Sequence, residues 1–355
     1  MNKKKIITIL LIIMFCILSI FIFFASNKAY NLKNKKQITK EAYQEKQYQQ
    51  DKRDIVKIAK EKYNVPEKYV EEILEEIVIV KSASKKNKKP AEEEATWEDY
   101  ERIFITNDRI NTGVEFYKKF EKDIKRASEK FQVNHYAILG ILGVETFFGK
   151  ILGNYRAIDA LFTLSVKSRR RHKFYKNELA ALIKLIYDGN FDENIQGSYA
   201  GAIGYGQFMP TSLMEYSVDF NGNGKINTLE PVDAIGSVAN YLKRHKWKMN
   251  AEYMYETKIT RDIKDIDSKL WGHNNFNQSI EKWEKYGISA LIYNKTKQKK
   301  QLTAYLFLLR NKKNKKYMLG LHNFRVVTRY NLNSMYATVV YILGQKISKK
   351  IKVKK

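Results

Sequence analysis

One cysteine, Cys16, stands in 355 residues, which excludes an internal disulfide framework and any cysteine-rich metal centre. The five histidines (His135, His172, His245, His273 and His322) are scattered, with no HExxH and no pair four residues apart, so a zinc hydrolase is not expected. A phosphate cradle is missing as well: no GxxxxGK(S/T) occurs, and Gly204-x-Gly206 lacks a third glycine. Nor is there a zinc finger, an RNP-like strand or another recognisable nucleic-acid reader. Carboxylates are few beside the bases, 38 Asp and Glu against 65 Lys and Arg, a net charge of +27. That surplus favours an anionic partner such as nucleic acid, lipid headgroups or a cell-wall polymer, although a general lysine bias can account for much of it. What is present suffices for folding. Hydrophobic residues make up 44% of the chain, enough to bury a sizeable core, and the length has room for about two domains.

Lys3, Lys4 and Lys5 precede an uncharged run from Ile6 to Ala25. At about 1.5 Å of rise per residue, a helix of that length spans roughly 30 Å, the hydrocarbon thickness of a bilayer. The leading lysines hold that end in the cytoplasm, so the chain beyond Ser26 is expected outside the inner membrane, in the periplasm. The expectation is an uncleaved anchor at 6–25, with a cleaved signal peptide near Ala25-Ser26 as the alternative. Cys16 lies mid-run without a lipoprotein-type cleavage site and reads as a membrane-buried apolar residue. Export turns the reading of the charge away from nucleic acid.

Residues 30 to 80 read as helix, with apolar stripes at Ile55, Ile58 and Ala59 and at Val70, Ile73, Leu74 and Ile77. A basic run (Lys85, Lys86, Lys88, Lys89), Pro90 and an acidic run (Glu92, Glu93, Glu94) predict a solvated linker. From Trp97 to about Trp247 the pattern is mostly helical. The β-rich runs Leu302 to Leu309 and Tyr317 to Val327 flank a polar turn at Asn311 to Lys316 and predict a hairpin. A last helix carries Tyr336, Val339, Val340 and Leu343. The lysine-rich end from Gln345 to Lys355 is expected to be solvated and flexible, or to lie on anionic lipid or polymer. The fold class is therefore mainly α (α+β), a helical body with a small β insertion.

Three segments carry chemistry. In the run from Asn134 to Gly149, Ile138, Ile141 and Leu142 mark an apolar helix face on which the next residue is Glu145 and the one after it Phe148. A carboxylate drawn out of water is pushed toward its protonated form, which is the state a general acid needs. The alternative is a buried Glu paired with an arginine. Gly140 and Gly143 each cost the helix about 1 kcal/mol relative to Ala, and make sense if another backbone or a ligand comes close. The second segment, Ser198 to Pro210, is rich in small residues and offers amides, a hydroxyl, the Gln207 carboxamide and aromatic rings. Those are fittings for a sugar, or equally a tight loop packed on a helix. Third, Asp219 to Glu230 fits D-x-D/N-x-D/N-G-x5-E at every position. Asp219, Asn221, Asn223, the Lys225 carbonyl, Asn227 and Glu230 would wrap one Ca²⁺ with Gly224 at the sharp turn; the alternative is a metal-free Gly/Asn turn. So few carboxylates predict a weak structural site, on the order of 10⁻⁴ to 10⁻³ M.

Gly143 to Thr146, Gly197 to Pro210, the calcium loop and Pro231 to Tyr241 together resemble the membrane-bound lytic murein transglycosylase B family. The likeness runs from about Tyr100 to Leu343, with Thr328 to Asn331 near its end. It implies a lysozyme-like helical core carrying an EF-hand-type calcium loop, flanked by an α domain and a small β domain. On that reading 1–29 is the anchor or signal segment, 30–96 an N-terminal helical region and linker, and 97–250 the catalytic core. Residues 251–330 form the small β-containing domain, and 331–355 the last helix and basic tail. The implied reaction cleaves the β-1,4 bond between N-acetylmuramic acid and N-acetylglucosamine in peptidoglycan and closes a 1,6-anhydro ring without water. By motif, Glu145 is implied as the single acid/base. Ser198, Gln207, Phe208, Tyr241, Tyr330, Asn331 and Tyr336 are implied to line the glycan groove, as are Tyr100 and the pair Arg170 and Arg171 on a looser match. The departures are the missing lipoprotein cysteine, Phe147-Phe148 after the Glu-Thr pair, and Asn221 and Asn223 in the loop. The alternatives are a hydrolytic muramidase and an inactive peptidoglycan-binding protein. Structural Ca²⁺ is the implied metal, with no organic cofactor, and the implied partners are glycan strands and the membrane, not nucleic acid. No wall-synthesis protein is legible as a partner.

Overall fold

The computed structural model describes residues 45–88, 95–168, 170–271, 277–292, 297–311 and 315–353. The segment 6–25 that predicts an anchor lies outside them, and no helix among the described residues is long and apolar enough to cross a membrane. From the N-terminal side, α1 (45–63), α2 (Glu67–Glu75) and α3 (Lys81–Lys88) lead to α4 (Trp97–Phe104), α5 (Asn107–Lys119), α6 (Glu121–Phe131) and α7 (His135–Thr146). Next come β1 (Tyr155–Arg156), α8 (Ala157–Lys167), α9 (His172–Tyr187), β2 (Gln196–Gly197), α10 (Pro210–Tyr216) and α11 (Pro231–Arg244). The remainder is β3 (Met254–Ile259), β4 (Asn277–Ser279), α12 (Ile280–Lys285), β5 (Ile288–Ala290), α13 (Lys297–Lys300), β6 (Thr303–Arg310), β7 (Lys315–Gly320), α14 (His322–Val327) and α15 (Ser334–Val353). The architecture is mainly α with one five-stranded sheet, as the sequence pattern predicts.

The centre of the helical body is α7. Nine of its twelve residues are buried, so it is apolar all round rather than along one stripe, the signature of a helix inside a core. The helix α15 lies against it with backbones in close approach. A Cβ on Gly140 would sit 2.2 Å from the Val340 carbonyl oxygen, and one on Gly344 would sit 2.0 Å from that of Tyr136. The cost of Gly140 inside α7 is thus explained by a neighbouring backbone, and that of Gly143 by the Leu343 and Phe148 side chains, each 2.8 Å from where its Cβ would be. The crossing carries Tyr336 to the end of α7 where Glu145 stands.

The sheet runs in the order β4-β6-β7-β3-β5, all pairs antiparallel, with Arg310 opposite Lys315 in the expected hairpin. It packs its own apolar cluster around Trp283, whose indole N–H donates to the Ala304 carbonyl at 3.0 Å.

Four expectations need correction. The helix predicted over 30 to 80 is broken after residue 63. Asn64 is left-handed (φ 55°), and Pro66 disfavours helix at Val65 and lacks an N–H to donate. Where the basic run predicts linker, α3 is helical, and 89–94 lie outside the described residues. The second β run ends at Gly320 instead of Val327, because the Phe324 ring folds back to within 2.3 Å of where a Gly320 Cβ would be and the chain turns into α14. The basic tail is helical as far as Val353, since Leu343 and Ile347 are fully buried on the inner face while Lys346 and Lys349 face outward.

Candidate active site

Glu145 ends α7 half-buried, between buried Val144 and buried Thr146. One carboxylate oxygen accepts the Tyr336 hydroxyl at 2.5 Å. It is therefore at the edge of the core rather than sealed in it. Burial, followed by the nearby Glu145 charge, pushes the Tyr336 phenol far above its ordinary range, so it stays a donor. After Thr146 the chain leaves the helix through three consecutive left-handed residues, Phe147 (φ 53°), Phe148 (φ 57°) and Gly149 (φ 87°). For bulky side chains that conformation is strained, on the order of 1–2 kcal/mol each. What holds it is packing. The Phe148 ring lies 5.2 Å from that of Phe116, and the Arg109 guanidinium stacks 4.3 Å from the Phe147 ring.

From Tyr336 a row of rings leads away. Tyr330 stacks nearly parallel to it at 6.5 Å, Tyr241 meets Tyr330 at 4.7 Å, and His245 meets Tyr241 at 4.2 Å. Phe208, 3% exposed, backs Tyr241 and Tyr330 from behind instead of offering a free face. The Tyr330 hydroxyl is tied to the Gly206 carbonyl at 2.5 Å. Tyr100 is buried on α4 and accepts from Asn333 at 3.1 Å, and the same Asn333 caps the start of α15 by accepting the Met335 and Tyr336 amides. Asn331 is half-buried one residue beyond Tyr330. Arg170 and Arg171 are exposed at the start of α9. Arg171 stacks on Phe174 and Tyr175, so its contacts belong to that helix and not to the tyrosine row.

The segment 197–210 is built by its own side chains. The Ser198 Oγ accepts the amides of Ala200 and Ala202, which leaves its O–H to donate. The Gln207 side-chain nitrogen donates to the carbonyls of Leu152 (3.1 Å) and Gly204 (3.0 Å), so its oxygen is the group left for a ligand. Among the bonds that join this segment to its neighbours, Thr146 Oγ1 donates to the Tyr205 carbonyl at 2.9 Å, and the Tyr205 amide donates to the Thr228 carbonyl at 3.0 Å. The loop from Asp219 to Glu230 is thereby two hydrogen bonds from the residue beside Glu145.

That loop is folded around its oxygens. Asp219 accepts the amides of Gly222, Asn223 and Gly224, and Asn221, Asn223 and Asn227 each accept an amide two residues on. Gly222 and Gly224 are left-handed, as a loop closing on a cation requires. The donor set is all oxygen, with carboxylates only at Asp219 and Glu230, which fits a hard cation such as Ca²⁺. Consistent with so few acids, no group of three or more His, Cys, Asp or Glu able to hold a metal occurs among the described residues. Fully buried Asp233 fastens both ends by accepting the Phe220, Asn221 and Asn227 amides.

Sequence reasoning misses Arg109, Tyr205 and Asn333. Arg109 is 8% exposed and donates to the Gly143 carbonyl at 2.5 Å, so it caps the C-terminal end of α7 two residues before Glu145. Burial lowers its pKa. The available signal was a single arginine four residues before a helix glycine, too little to place it. A cavity of about 700 Å³ between α1 and α2 contains none of the candidate residues, and its charges pair across it, as Lys60 does with Glu67 at 3.1 Å.

Residues 47–345 match the family model for the transglycosylase SLT domain. The chain is 37% identical over 266 residues to membrane-bound lytic murein transglycosylase B of Escherichia coli (strain K12), covering 74% of this chain and 70% of that protein. Its structure is similar to that of the Escherichia coli lytic transglycosylase Slt35 in complex with calcium (TM-score 0.75, 32% identity, 85% of this chain and 94% of that one). A similar likeness holds for the soluble lytic transglycosylase SltB1 from Pseudomonas aeruginosa (TM-score 0.74, 32% identity, 85% and 99%). With lysozyme-like architecture and motif order both in agreement, the chain belongs to the transglycosylase SLT domain family of lytic murein transglycosylases and is an enzyme of that class.

Proposed function

We propose that this enzyme cleaves the β-1,4 bond from N-acetylmuramic acid to N-acetylglucosamine in peptidoglycan and leaves a 1,6-anhydromuramoyl end. The observation that carries the reading is Glu145 hydrogen-bonded to Tyr336 at the head of a row of tyrosine rings, Tyr336 and Tyr330 nearly parallel and Tyr330 and Tyr241 edge to face. Half-buried Tyr330 offers ring surface to a sugar, with buried Tyr336 and Tyr241 packed against it, and the half-buried Glu145 carboxyl beside them suits proton transfer to a glycosidic oxygen. Ordinary glycosidases use two carboxylates. Four acids of the core and the loop are engaged elsewhere: Asp159 with the Val78 amide, Glu178 with Thr211, Asp219 and Asp233 with loop amides. One carboxylate is enough when the nucleophile belongs to the substrate.

In this mechanism protonated Glu145 donates to the leaving oxygen as the C1–O bond breaks. The cationic centre at C1 is relieved by the muramoyl N-acetyl group or by the dipoles of the site. The Glu145 carboxylate then takes the proton of the C6 hydroxyl as that oxygen bonds to C1, which restores the acid. Holding the strand makes the closure effectively unimolecular. The Ser198 hydroxyl, the Gln207 oxygen and Asn331 orient polar groups of the sugars, with Tyr100, Tyr241 and Tyr330 completing the groove and Arg170 and Arg171 at its margin. Asp219, Asn221, Asn223, the Lys225 carbonyl, Asn227 and Glu230 would hold a structural Ca²⁺, whose charge would stiffen the loop that carries Thr228, the residue hydrogen-bonded to Tyr205. The enzyme works in the periplasm, held by 6–25 or released by cleavage of that segment. The test is digestion of purified sacculi with mass analysis of the released ends. Muramoyl ends lighter by one water than the hydrolytic product are expected, and hydrated ends would refute the ring closure.

A further inference from the structure

Beyond the tyrosine row lies a second cavity, of about 420 Å³, whose lining includes His245, Lys246, Tyr305, His322, Arg325 and Arg329 and no carboxylate. It sits where the end of α11, the helix α14 and the strands β4 and β6 meet. Its walls are held in place. The His322 Nε2 meets the Lys246 carbonyl at 2.6 Å, the Arg325 guanidinium lies over the rings of Trp271 (5.4 Å) and Tyr305 (6.0 Å), and Asn277 donates to the Tyr305 hydroxyl at 3.2 Å. Glu215, whose charge acts on His245, is engaged by Arg244 at 3.0 Å. Three permanent cations and two imidazoles around one hollow whose lining has no carboxylate make a positive site that attracts an anion, and guanidinium groups are suited to planar, bidentate acceptors. His245 is also the last ring of the row that begins at Tyr336, so the cavity opens where a bound strand would continue.

We propose that this cavity binds a carboxylate carried by the polymer in the groove, namely that of a peptide stem attached to the glycan. The proposal rests on the reading of the tyrosine row as a glycan groove. Sugars supply hydroxyls and amides that such a cationic hollow does not need; peptide stems supply carboxylates.

The test compares cleavage of glycan strands that bear peptide stems with cleavage of the same strands stripped by an amidase, which frees a lactyl carboxylate against each muramoyl ring and removes the stem carboxylates that reach beyond it. For the Arg325→Gln/Arg329→Gln protein, KM on peptide-bearing strands is expected to rise about tenfold or more with kcat nearly unchanged. KM on stripped strands is expected to stay at the wild-type value, which also shows that the variant is folded. Arg329→Gln alone, at an exposed position, is expected to give a smaller rise of the same kind. Equal changes on both substrates, or none on either, would overturn the proposal. So would competition by inorganic phosphate for the histidine signals of His245 and His322 without any preference for peptide-bearing strands, because the site would then serve a free anion. Wild-type enzyme that cuts neither substrate would instead refute the groove reading beneath it, and the cavity proposal with it.

Discussion

The Tyr336 hydroxyl and the Glu145 carboxylate form the contact on which the proposed chemistry turns, and they lie 191 residues apart in sequence. A phenol held well above its ordinary pKa cannot compete for the proton; it can only donate and so fix the carboxylate's orientation. Removing it with Tyr336→Phe keeps the buried ring and deletes one hydrogen bond. The expected result is a fall in kcat on the order of tenfold, corresponding to about 1.4 kcal/mol, with the melting temperature nearly unchanged. Steady-state assays on sacculi and thermal melts check both parts. Wild-type kcat in that variant would show that Tyr336 is packing alone. Gln207 is a second single-residue case. Its nitrogen is spent on two backbone carbonyls, so Gln207→Glu, which puts an acceptor where a donor is needed, is expected to disturb the loop as well as the ligand contact.

The crossing of α7 and α15 is set by two glycines, and its tightness is what brings Tyr336 to Glu145. Gly140→Ala must push the Val340 carbonyl aside, so a loss of roughly 1–3 kcal/mol in unfolding free energy and a drop in activity larger than that of a surface substitution are expected. Denaturant titration with parallel assays would show it; an unaffected variant would mean that the two helices are free to separate. The loop from Asp219 to Glu230 reaches the site through Thr228, Tyr205 and Thr146. For a dissociation constant near 10⁻⁴ M, 10 mM Ca²⁺ is expected to add about 2.7 kcal/mol of stability over chelator, an effect Asp219→Ala abolishes. A melting temperature indifferent to Ca²⁺ would count against the site. Between α9 and α10, Glu178 is 2% exposed, and burial raises its pKa despite the two bonds from Thr211, which lower it. Below its ordinary value of 4.5 both folded and unfolded states are protonated and burial costs nothing; as pH rises, the unfolded chain ionises first, so stability falls until the folded value is passed. Glu178→Gln is expected to flatten that slope in denaturation curves between about pH 4.5 and neutrality, and identical slopes would contradict the assignment.

Over the molecule as a whole, local signals were legible and long-range ones were not. Periodicity and turn chemistry foretold the helical body, the β6–β7 hairpin and the oxygen loop, because each is specified by residues close in sequence. The carboxylate among apolar residues drew attention to Glu145 for the same reason, and the motif order to tyrosines that the structure places in one row beside it. What stayed hidden was contact between distant segments: Arg109 reaching the end of α7, Asn333 joining Tyr100 to Tyr336, and the inner face of α15 drawing a lysine-rich tail into helix. Strands β4 and β5 were illegible because at three residues each they gain their order only from the sheet around them, and β3, as long as β7, has no hairpin partner next to it in sequence to mark it. The basic cavity likewise exists only after α11, α14 and the sheet have met.

The central claim is that one carboxylate both gives and takes the proton. Purified sacculi incubated with Glu145→Gln, alongside wild type, test it most directly, with released muropeptides weighed by mass spectrometry. The expected outcome is anhydro-ended fragments from wild type and a rate at least roughly a thousandfold lower from the variant, the size of effect a lost general acid/base produces. Anhydro-ended fragments released by the variant at a comparable rate would contradict it.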